Sequence, residues 1–205
     1  MFRFICMILG YGIGCLQSAY LVGKFAGHVD LRQYGSGNLG TTNALRVLGK
    51  KAGAITFVCD ILKSVLGFLL CKMIFQEIPL AGLYGCVGVI LGHDFPFYLN
   101  FKGGKGIACM IGLVLCLSIT TWYLPAFAFG IGIVCIVATR YVSLGSMCFA
   151  IMIPIILYKT AFPLEGVVIT ICLAVLALYQ HRANIVRLLS GNENKLGVKK
   201  VEENI

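Results

Sequence analysis

Charged residues are scarce in this chain of 205 residues, since they make up 12% of it and only 8 are Asp or Glu. A soluble domain of this length needs a polar surface, which this composition does not provide. Hydrophobic residues make up 59% of the chain, and the mean hydropathy is +0.92. The composition therefore excludes a soluble globular protein and indicates an integral membrane protein.

Several patterns that carry chemistry in other proteins are also missing from the sequence. It has no CxxC pair, no Cys or His cluster with metal-ligand spacing, no paired carboxylates and no internal repeat. We therefore expect no metal and no cofactor. Most of the ten cysteines lie inside apolar runs, where a free thiol packs as a small hydrophobic side chain.

The hydrophobic residues form seven apolar runs, the last four of which are shorter than the roughly 20 residues of a full membrane span. A predicted interface turn at TTWYLP separates the fourth run from the fifth, and six spans are the main alternative to seven. The runs are Phe4–Phe25, Ala52–Phe75, Pro79–Tyr98, Ile107–Thr121, Trp122–Thr139, Leu144–Tyr158 and Leu164–Tyr179.

Basic residues favour one topology. With seven spans and an extracytoplasmic N-terminus, thirteen Lys and Arg residues fall on the inside and three on the outside, as the positive-inside rule requires. The net charge is +9, and the basic residues that produce it lie between the apolar runs and in the tail. This distribution suits binding to an anionic membrane surface and not to a nucleic acid. The prediction is an all-α integral membrane protein of one domain, residues 1–205, with a polar cytoplasmic tail at 180–205.

A glycine-rich stretch, GSGNLGTTNALRVLGKKAG, occupies residues 35–53. Glycines allow positive φ angles and let a loop present several N–H groups to an anion. One of the two threonines, Thr41 or its neighbour, is expected to cap a short helix on which Asn43 and Arg46 share a face. This arrangement is typical of phosphate binding; a tight turn between two helices is the alternative.

A second polar stretch, GHDFPFYLNFKGGKGIA, occupies residues 92–108. The glycines of FKGGKG free the backbone, and its two lysines supply positive charge. The stretch lacks Walker spacing and a following Ser or Thr, which argues against nucleotide hydrolysis. A basic flank with snorkelling lysines is the alternative, but it leaves the three glycines unexplained.

Two further polar stretches follow. In RYVSLGSM, Ser143 either caps a helix or binds substrate, and the sequence favours neither. In YQHRANIVRLLSGNENKLG, a continuing helix would place His181 and Asn184 on one face.

Two pairs of ionisable residues lie within or beside apolar runs. Asp60 and Lys63 are three residues apart in the second run, and we expect them to form a structural ion pair facing the interior. His93 and Asp94 are adjacent, so a helix would point them about 100° apart, which does not suggest a catalytic dyad.

Taken in order, SGNLGTTNALRVLG, DILKS, GHDFPFYLNFKGGKGIA, YVSLGSM and HRANIVRLLSGNENK resemble the bacterial PlsY family, the acyl-phosphate:glycerol-3-phosphate acyltransferases. Cys109 and Ser64 depart from the residues usual in that family. The resemblance implies seven spans in the bacterial cytoplasmic membrane and an active site that faces the cytoplasm. It implies transfer of a fatty acyl group from acyl phosphate to the sn-1 hydroxyl of glycerol 3-phosphate, giving lysophosphatidic acid and phosphate.

The resemblance also implies roles for individual residues. It predicts catalytic roles for Lys105, Asn38, Arg46 and His181. The residues expected to bind glycerol 3-phosphate are Ser36, Arg46, Lys105, His181 and Asn184. Those expected to bind acyl phosphate are Asn38, Gly40, Thr41, Gly103, Gly104 and Ser143.

The resemblance favours substrate-assisted proton transfer, with His181 as the alternative base. Membrane lipid is an expected partner, as is the enzyme that makes acyl phosphate; nucleic acid is not.

Two other functions are alternatives to the acyltransferase. A transporter of organophosphates would place such groups at mid-membrane in repeated halves, and a structural membrane subunit would not need the glycine and basic clusters.

Overall fold

The computed structural model of the chain describes residues 1–118 and 122–197. Every regular element in those ranges is a helix, which confirms the predicted all-α class. The chain divides into two compact units, Met1–Trp122 and Tyr123–Ile205. The single domain expected from the sequence stays a prediction.

The first unit carries six α-helices in its described residues. They are α1 (Phe2–Gly14), α2 (Ser18–Ala26), α3 (Thr41–Leu48), α4 (Lys50–Ile74), α5 (Ala81–Asp94) and α6 (Ile107–Leu117). The second unit carries α7 (Leu124–Thr139), α8 (Val142–Lys159), α9 (Leu164–Gln180) and α10 (Arg182–Leu189).

Helices α1 and α5 pack with their backbones in contact. A Cβ on Gly10 would overlap the carbonyl oxygen of Gly85, and a Cβ on Gly92 would overlap that of Tyr11. Small residues at such a seam let two helices approach closely where apolar burial alone gives little drive for association. The seam therefore fixes the end of α5, where the FKGGKG loop begins to fold back.

The first apolar run, Phe4–Phe25, lies within one candidate span but is divided into two helices. Helix α1 ends at Gly14 and α2 starts at Ser18, because Gln17 between them is extended. The Gln17 side chain, fully buried, donates to the carbonyls of Gly92 and His93 at 3.3 and 2.9 Å. Because of this break, the backbone at the end of α1 contacts Lys63 of α4 and the Gln17 side chain contacts the end of α5.

Three segments are long and apolar enough to cross a membrane among the described residues: Phe2–Ala26 taken across its break, Lys50–Ile74 and Val142–Lys159. Helices α9 and α10 together form a fourth candidate, bent by 58°. Helices α6 and α7 are apolar but shorter. Seven spans and the orientation of the termini stay predictions, and part of TTWYLP, at 119–121, lies outside the described residues.

Within the second unit, α8 packs against both α7 and α9. The rings of Phe129 and Phe149 stack with their centroids 5.3 Å apart. After α10 the chain turns at Gly191, which has φ +72°, and returns toward the start of α8. Leu196 N donates to Arg140 O at 2.7 Å, so the described part of the tail is bonded to the corner between α7 and α8.

All ten cysteines are free thiols, as the sequence predicted.

Candidate active site

Asn43 organises the first glycine-rich loop from within. Its side chain is 1% exposed, and its Nδ2 donates to the carbonyls of Leu31 and Tyr34 at 3.0 and 3.1 Å. Its Oδ1 accepts from Ser36 N at 2.9 Å. Asn43 and Arg46 lie three residues apart on the short helix Thr41–Leu48, as predicted, but the loop backbone occupies the Asn43 amide while Arg46 is exposed.

Gly35 and Gly37 give this loop its shape. Both have positive φ, +62° and +70°, and a Cβ on Gly35 would overlap Asn43 Oδ1. A side chain is therefore excluded at Gly35 by strain and by space together. Ser36 lies between the two glycines and is exposed.

Helix α3 begins without a side-chain cap. The N-cap residue is Gly40, and neither threonine caps the helix, so the predicted threonine cap is wrong. Thr41 is instead the first helical residue, and its Oγ1 is buried without a hydrogen-bond partner among the described residues. Asn38 Nδ2 lies over Gly40, where a Cβ would come within 2.8 Å of it.

The FKGGKG loop lies on the end of α5. Gly103 N donates to Asp94 O at 3.1 Å, and Gly104 N donates to His93 O at 2.9 Å. These two N–H groups are thus bonded inside the protein, and the binding of acyl phosphate by Gly103 and Gly104 stays a prediction. The two glycines allow close approach, since a Cβ on Gly104 would overlap the ring of His93.

A backbone hydrogen bond joins the two glycine-rich loops. Leu39 N donates to Gly103 O at 3.4 Å, and Leu39 itself is fully buried. Lys105 follows directly and is half-buried, and Gly106, with φ +71°, then starts α6. The fold therefore brings the Ser36–Thr41 segment and the Gly103–Lys105 segment to one place in the first unit.

A buried polar cluster lies beneath the FKGGKG loop. Lys63 Nζ lies 2.9 Å from Asp60 Oδ1 and 2.8 Å from His93 Nδ1. It also donates to the carbonyls of Leu16 and Gly14 at 3.0 and 3.3 Å. These contacts confirm the predicted Asp60–Lys63 ion pair. Because an ammonium only donates, His93 Nδ1 must accept, and the neutral ring carries its proton on Nε2.

The same cluster has the ligand atoms of a metal site. Oxygen, nitrogen and sulfur atoms of Asp60, His93 and Cys109 lie within 4.8 Å of one another. The ammonium of Lys63 already bonds to two of these three residues. The ammonium of Lys63 therefore occupies the position that a metal ion would take, and its positive charge would repel a metal cation there.

His181 marks a corner in the second unit. It ends α9 and precedes α10, where the chain bends by 58°. The prediction of one continuing helix through His181 and Asn184 is therefore wrong. The ring is buried, and its Nδ1 lies 2.7 Å from Ala177 O. Since a carbonyl only accepts, Nδ1 donates, and Nε2 is the acceptor atom of the neutral ring.

Glu193, which sequence reasoning missed, gathers the polar groups near this corner. Its carboxylate accepts from Ser143 Oγ at 2.9 Å, from Asn184 Nδ2 at 2.7 Å and from Arg187 Nε at 2.8 Å. Burial alone would raise the pKa of the Glu193 carboxyl, but the three hydrogen bonds outweigh burial and lower it. The signal that could have identified it is an acidic residue within the polar stretch YQHRANIVRLLSGNENKLG, close in sequence to Asn184 and Arg187.

The predicted site residues thus fall into two groups. The first unit holds Ser36, Asn38, Gly40, Thr41, Arg46, Gly103, Gly104 and Lys105. The second unit holds Ser143, His181 and Asn184. The structure brings members of each group together within their own unit.

Comparisons with known proteins identify close relatives. The sequence profile of a family described as "Glycerol-3-phosphate acyltransferase" matches residues 4–191. A glycerol-3-phosphate acyltransferase of Thermoanaerobacter sp. (strain X514) is 41% identical over 201 residues, covering 97% of this chain and 98% of the relative. That of Clostridioides difficile (strain 630) is 38% identical over 206 residues, covering 96% of each.

Two solved structures are also similar. One is a crystal structure of PlsY (YgiH), an integral membrane glycerol 3-phosphate acyltransferase, in its glycerol 3-phosphate form. It has a TM-score of 0.86 and 34% identity, covering 95% of this chain and 96% of that chain. The other is the lysophosphatidic acid form, with a TM-score of 0.84, 33% identity and 95% of each chain covered.

Proposed function

The chain belongs to the glycerol-3-phosphate acyltransferase family of integral membrane proteins, and on that premise we propose that acyl phosphate is its donor and the sn-1 hydroxyl its acceptor. The products are lysophosphatidic acid and inorganic phosphate. One observation carries the proposal. The Leu39–Gly103 bond joins the loop that carries Ser36 to the loop that carries Lys105, and Arg46 follows on α3.

The proposed roles follow the chemistry of each side chain. Arg46 and Lys105 neutralise phosphate charge, and Ser36 donates to a phosphate oxygen. Asn38 and Thr41 lie at the start of α3, where the helix dipole favours an anion. Gly103 and Gly104 contribute by shaping the loop, since their N–H groups are bonded to Asp94 and His93.

The reaction forms one ester bond and breaks one acyl–phosphate bond. The sn-1 hydroxyl oxygen attacks the acyl carbonyl carbon, and the bond from that carbon to the phosphate oxygen breaks. A phosphate oxygen takes the hydroxyl proton, so no protein base is needed. Asn38 stabilises the oxyanion, a contribution of about 3–4 kcal/mol for one preorganised donor. His181 and Asn184 bind the glycerol end.

Holding the two substrates together supplies much of the rate. Acyl phosphates are already activated, so correct placement of the hydroxyl lowers the barrier by several kcal/mol. The acyl tail lies in the lipid while the phosphates meet loops at the cytoplasmic face. This scheme uses no metal or cofactor, and it needs an acyl-phosphate-synthesising enzyme as the source of the donor.

The test is turnover by purified protein in lipid. Palmitoyl phosphate and glycerol 3-phosphate are mixed with wild type, Lys105→Ala and Lys159→Ala, and phosphate and lysophosphatidic acid are measured together. Lys159 is exposed at the end of α8 and serves as the matched control. We expect equal amounts of both products from wild type and Lys159→Ala, and a large loss in Lys105→Ala.

The donor and the position of the ester are tested separately. Lysophosphatidic acid from palmitoyl-CoA but not from palmitoyl phosphate would overturn the proposed donor. NMR of the product identifies the acylated hydroxyl, and an sn-2 ester would overturn the proposed regiochemistry.

A further inference from the structure

Asp30 lies between two clefts on the surface of the first unit. The first cleft, which we call the Lys24 cleft, has a volume of about 360 Å³ and is lined by Tyr20, Lys24, His28, Val29 and Asp30. The second, which we call the Lys102 cleft, has a volume of about 290 Å³. Both glycine-rich loops contribute to it, and its lining residues are Asp30, Arg32, Gln33, Gly37, Asn100 and Lys102.

The acidic residue that the two clefts share is neutralised within the protein. The guanidinium of Arg32 donates to both carboxylate oxygens of Asp30 at 2.6–3.1 Å. These hydrogen bonds lower the pKa of the Asp30 carboxyl, so the pair stays ionised and closed at neutral pH. Lys24 and Lys102 form no ion pair within the part of the chain that the structure describes. The two clefts therefore have a net positive charge.

A phenylalanine adjoins each of the two lysines. Phe25 is 72% exposed near the end of α2, and Phe101 is 61% exposed in the FKGGKG loop. Phe97, four residues before Phe101, is 62% exposed. In an integral membrane protein, exposed aromatic rings beside basic residues are typical of the boundary between lipid tails and headgroups. The ammonium groups of Lys24 and Lys102 therefore extend to the depth at which a bilayer has its phosphates.

The backbone of the FKGGKG loop fixes Phe101 and Lys102 in this position. Asn100 and Phe101 both have positive φ, +54° and +57°, which is unusual for bulky side chains. Phe101 N donates to Pro96 O at 3.1 Å, and Lys102 N donates to Leu99 O at 3.2 Å. These bonds hold a tight turn at which Asn100, Phe101 and Lys102 are all exposed. The surrounding structure therefore maintains a strained turn that presents a ring and an ammonium group side by side.

We propose that the Lys102 cleft binds the headgroup of an anionic phospholipid. Lys102 binds the lipid phosphate, and the acyl chains lie beside Phe97 and Phe101. Lys24 in the neighbouring cleft adds to the positive potential that attracts the headgroup. This lipid is a ligand and not a substrate, and the inference goes beyond the proposed function because it does not depend on the acyl donor.

The size and the apolar edge of the Lys102 cleft favour a lipid over a soluble anion. Its volume of about 290 Å³ is at the lower limit of small-ligand sites, about 300 Å³, so it suits a headgroup and not a whole lipid. A free phosphate could bind to the same ammonium group, but it would gain nothing from Phe97 and Phe101. A phospholipid uses the charge and the two exposed rings together.

The position of the Lys102 cleft links it to the two glycine-rich loops. Gly37 directly follows Ser36, and Lys102 directly precedes Gly103. A headgroup in this cleft therefore contacts both loops that the hydrogen bond from Leu39 to Gly103 joins. Because a ligand that binds only the folded state raises its stability, anionic lipid should stabilise the protein more than neutral lipid does.

The experiment counts the lipids bound to the full-length protein in detergent by native mass spectrometry. Phosphatidylglycerol and phosphatidylcholine with the same acyl chains are titrated separately, and phosphatidylglycerol is titrated again with excess inorganic phosphate. The proteins are wild type, Lys102→Gln, Lys102→Arg, Lys105→Ala and Lys51→Gln. Lys51 is exposed at the start of α4, so Lys51→Gln makes the same change of charge outside the clefts. Melting temperatures with each lipid are measured in parallel.

We expect wild type to bind one phosphatidylglycerol more tightly than phosphatidylcholine and to have a higher melting temperature with it. Lys102→Gln should weaken this binding about fivefold, the effect of removing one lysine near an anionic lipid surface, and should lose the increase in melting temperature. Lys102→Arg, Lys51→Gln and Lys105→Ala should retain both effects. Inorganic phosphate should not displace the lipid.

Four results would overturn the inference. Equal weakening in Lys51→Gln and Lys102→Gln would show attraction to net charge alone, and a loss in Lys105→Ala would place the lipid in the proposed catalytic site. Displacement by inorganic phosphate would assign the cleft to a soluble anion. Equal binding of the two lipids by wild type would exclude recognition of the headgroup charge. If phosphatidylglycerol binds as expected yet palmitoyl phosphate is not turned over, the proposed donor falls and the lipid site stands.

Discussion

Gly104 lies on the ring of His93, and its N–H donates to the His93 carbonyl at 2.9 Å. No side chain fits between them, because a Cβ on Gly104 would overlap the ring. The ring in turn accepts from the buried ammonium of Lys63 at 2.8 Å. The loop that carries Lys105 is thus built on a polar cluster inside the helices.

Replacing Gly104 by alanine should therefore move the loop away from His93. We expect kcat/KM to fall about 100-fold, since a displacement of about 1 Å in a positioning group has that effect. Gly130→Ala is the matched control, because a Cβ on Gly130 of α7 has nothing within 4 Å. Unchanged kinetics in Gly104→Ala would show that the loop does not need this contact.

Asn43→Ala removes the side chain that shapes the first glycine-rich loop. Three hydrogen bonds at 2.9–3.1 Å are lost. The carbonyls of Leu31 and Tyr34 then lack a donor, which lowers the free energy of unfolding by about 1–3 kcal/mol. We expect a lower melting temperature and a higher KM for glycerol 3-phosphate. Gln33→Ala, at an exposed position in the same segment, should change neither quantity.

Lys63→Met should destabilise the first unit strongly. It leaves the carboxylate of Asp60, 1% exposed, without its cation, and removing one partner of a buried pair costs about 3–5 kcal/mol. Thermal unfolding in detergent measures the loss, with Lys159→Met as the control. The double variant Asp60→Asn with Lys63→Met should recover part of it; no recovery would mean that the lysine acts through its other partners.

His181→Ala should impair binding more than chemistry. The hydrogen bond from Nδ1 to Ala177 O at 2.7 Å fixes the orientation of the ring, and we propose that His181 contributes to binding of glycerol 3-phosphate. We expect a raised KM for glycerol 3-phosphate with kcat changed little. A pH–rate profile whose acidic limb disappears in this variant would instead identify His181 as the general base.

Acid should remove the stability that Glu193 supplies. Its pKa is lowered in the folded protein, against the effect of burial, by Asn184, Ser143 and Arg187. Such a group stabilises the fold above its ordinary pKa of about 4.3 and loses this effect as pH falls through the lowered value. Unfolding free energies of wild type and Glu193→Gln should therefore differ at neutral pH and converge as the pH falls through the lowered pKa of Glu193. A constant difference would exclude titration of this carboxyl.

Much of the fold was predictable because the positions of helices follow from apolar runs, and those of turns from glycines, within a short stretch of sequence. The run predicted at Ala52–Phe75 agrees closely with α4 at Lys50–Ile74. The break between α1 and α2 was not predictable, because it depends on partners distant in the chain. Lys63 donates to the carbonyls of Gly14 and Leu16, which an unbroken helix would have bonded internally, and the side chain of Gln17 at the break donates to the carbonyl of His93.

The site was predictable as a set of motifs but not as a set of roles. The sequence indicated that FKGGKG and the first glycine-rich loop act on phosphate. It could not show that Gly103 and Gly104 have their N–H groups bonded internally, since this depends on how α5 ends. Glu193 was missed for a similar reason, because its three donors come from α8 and α10 and converge only in the folded chain.

Asp60 and Lys63 lie on the same helix, one turn apart, and their charged atoms are 2.9 Å apart. The pair can therefore close while α4 is being made, before α5 and His93 have left the ribosome. Pairing the two opposite charges within α4 lowers the free energy cost of placing this helix in lipid, compared with two separate charges. The carbonyls of Gly14 and Leu16 precede Lys63 in the chain and His93 follows it, so three of its four partners are synthesised before it and one after it.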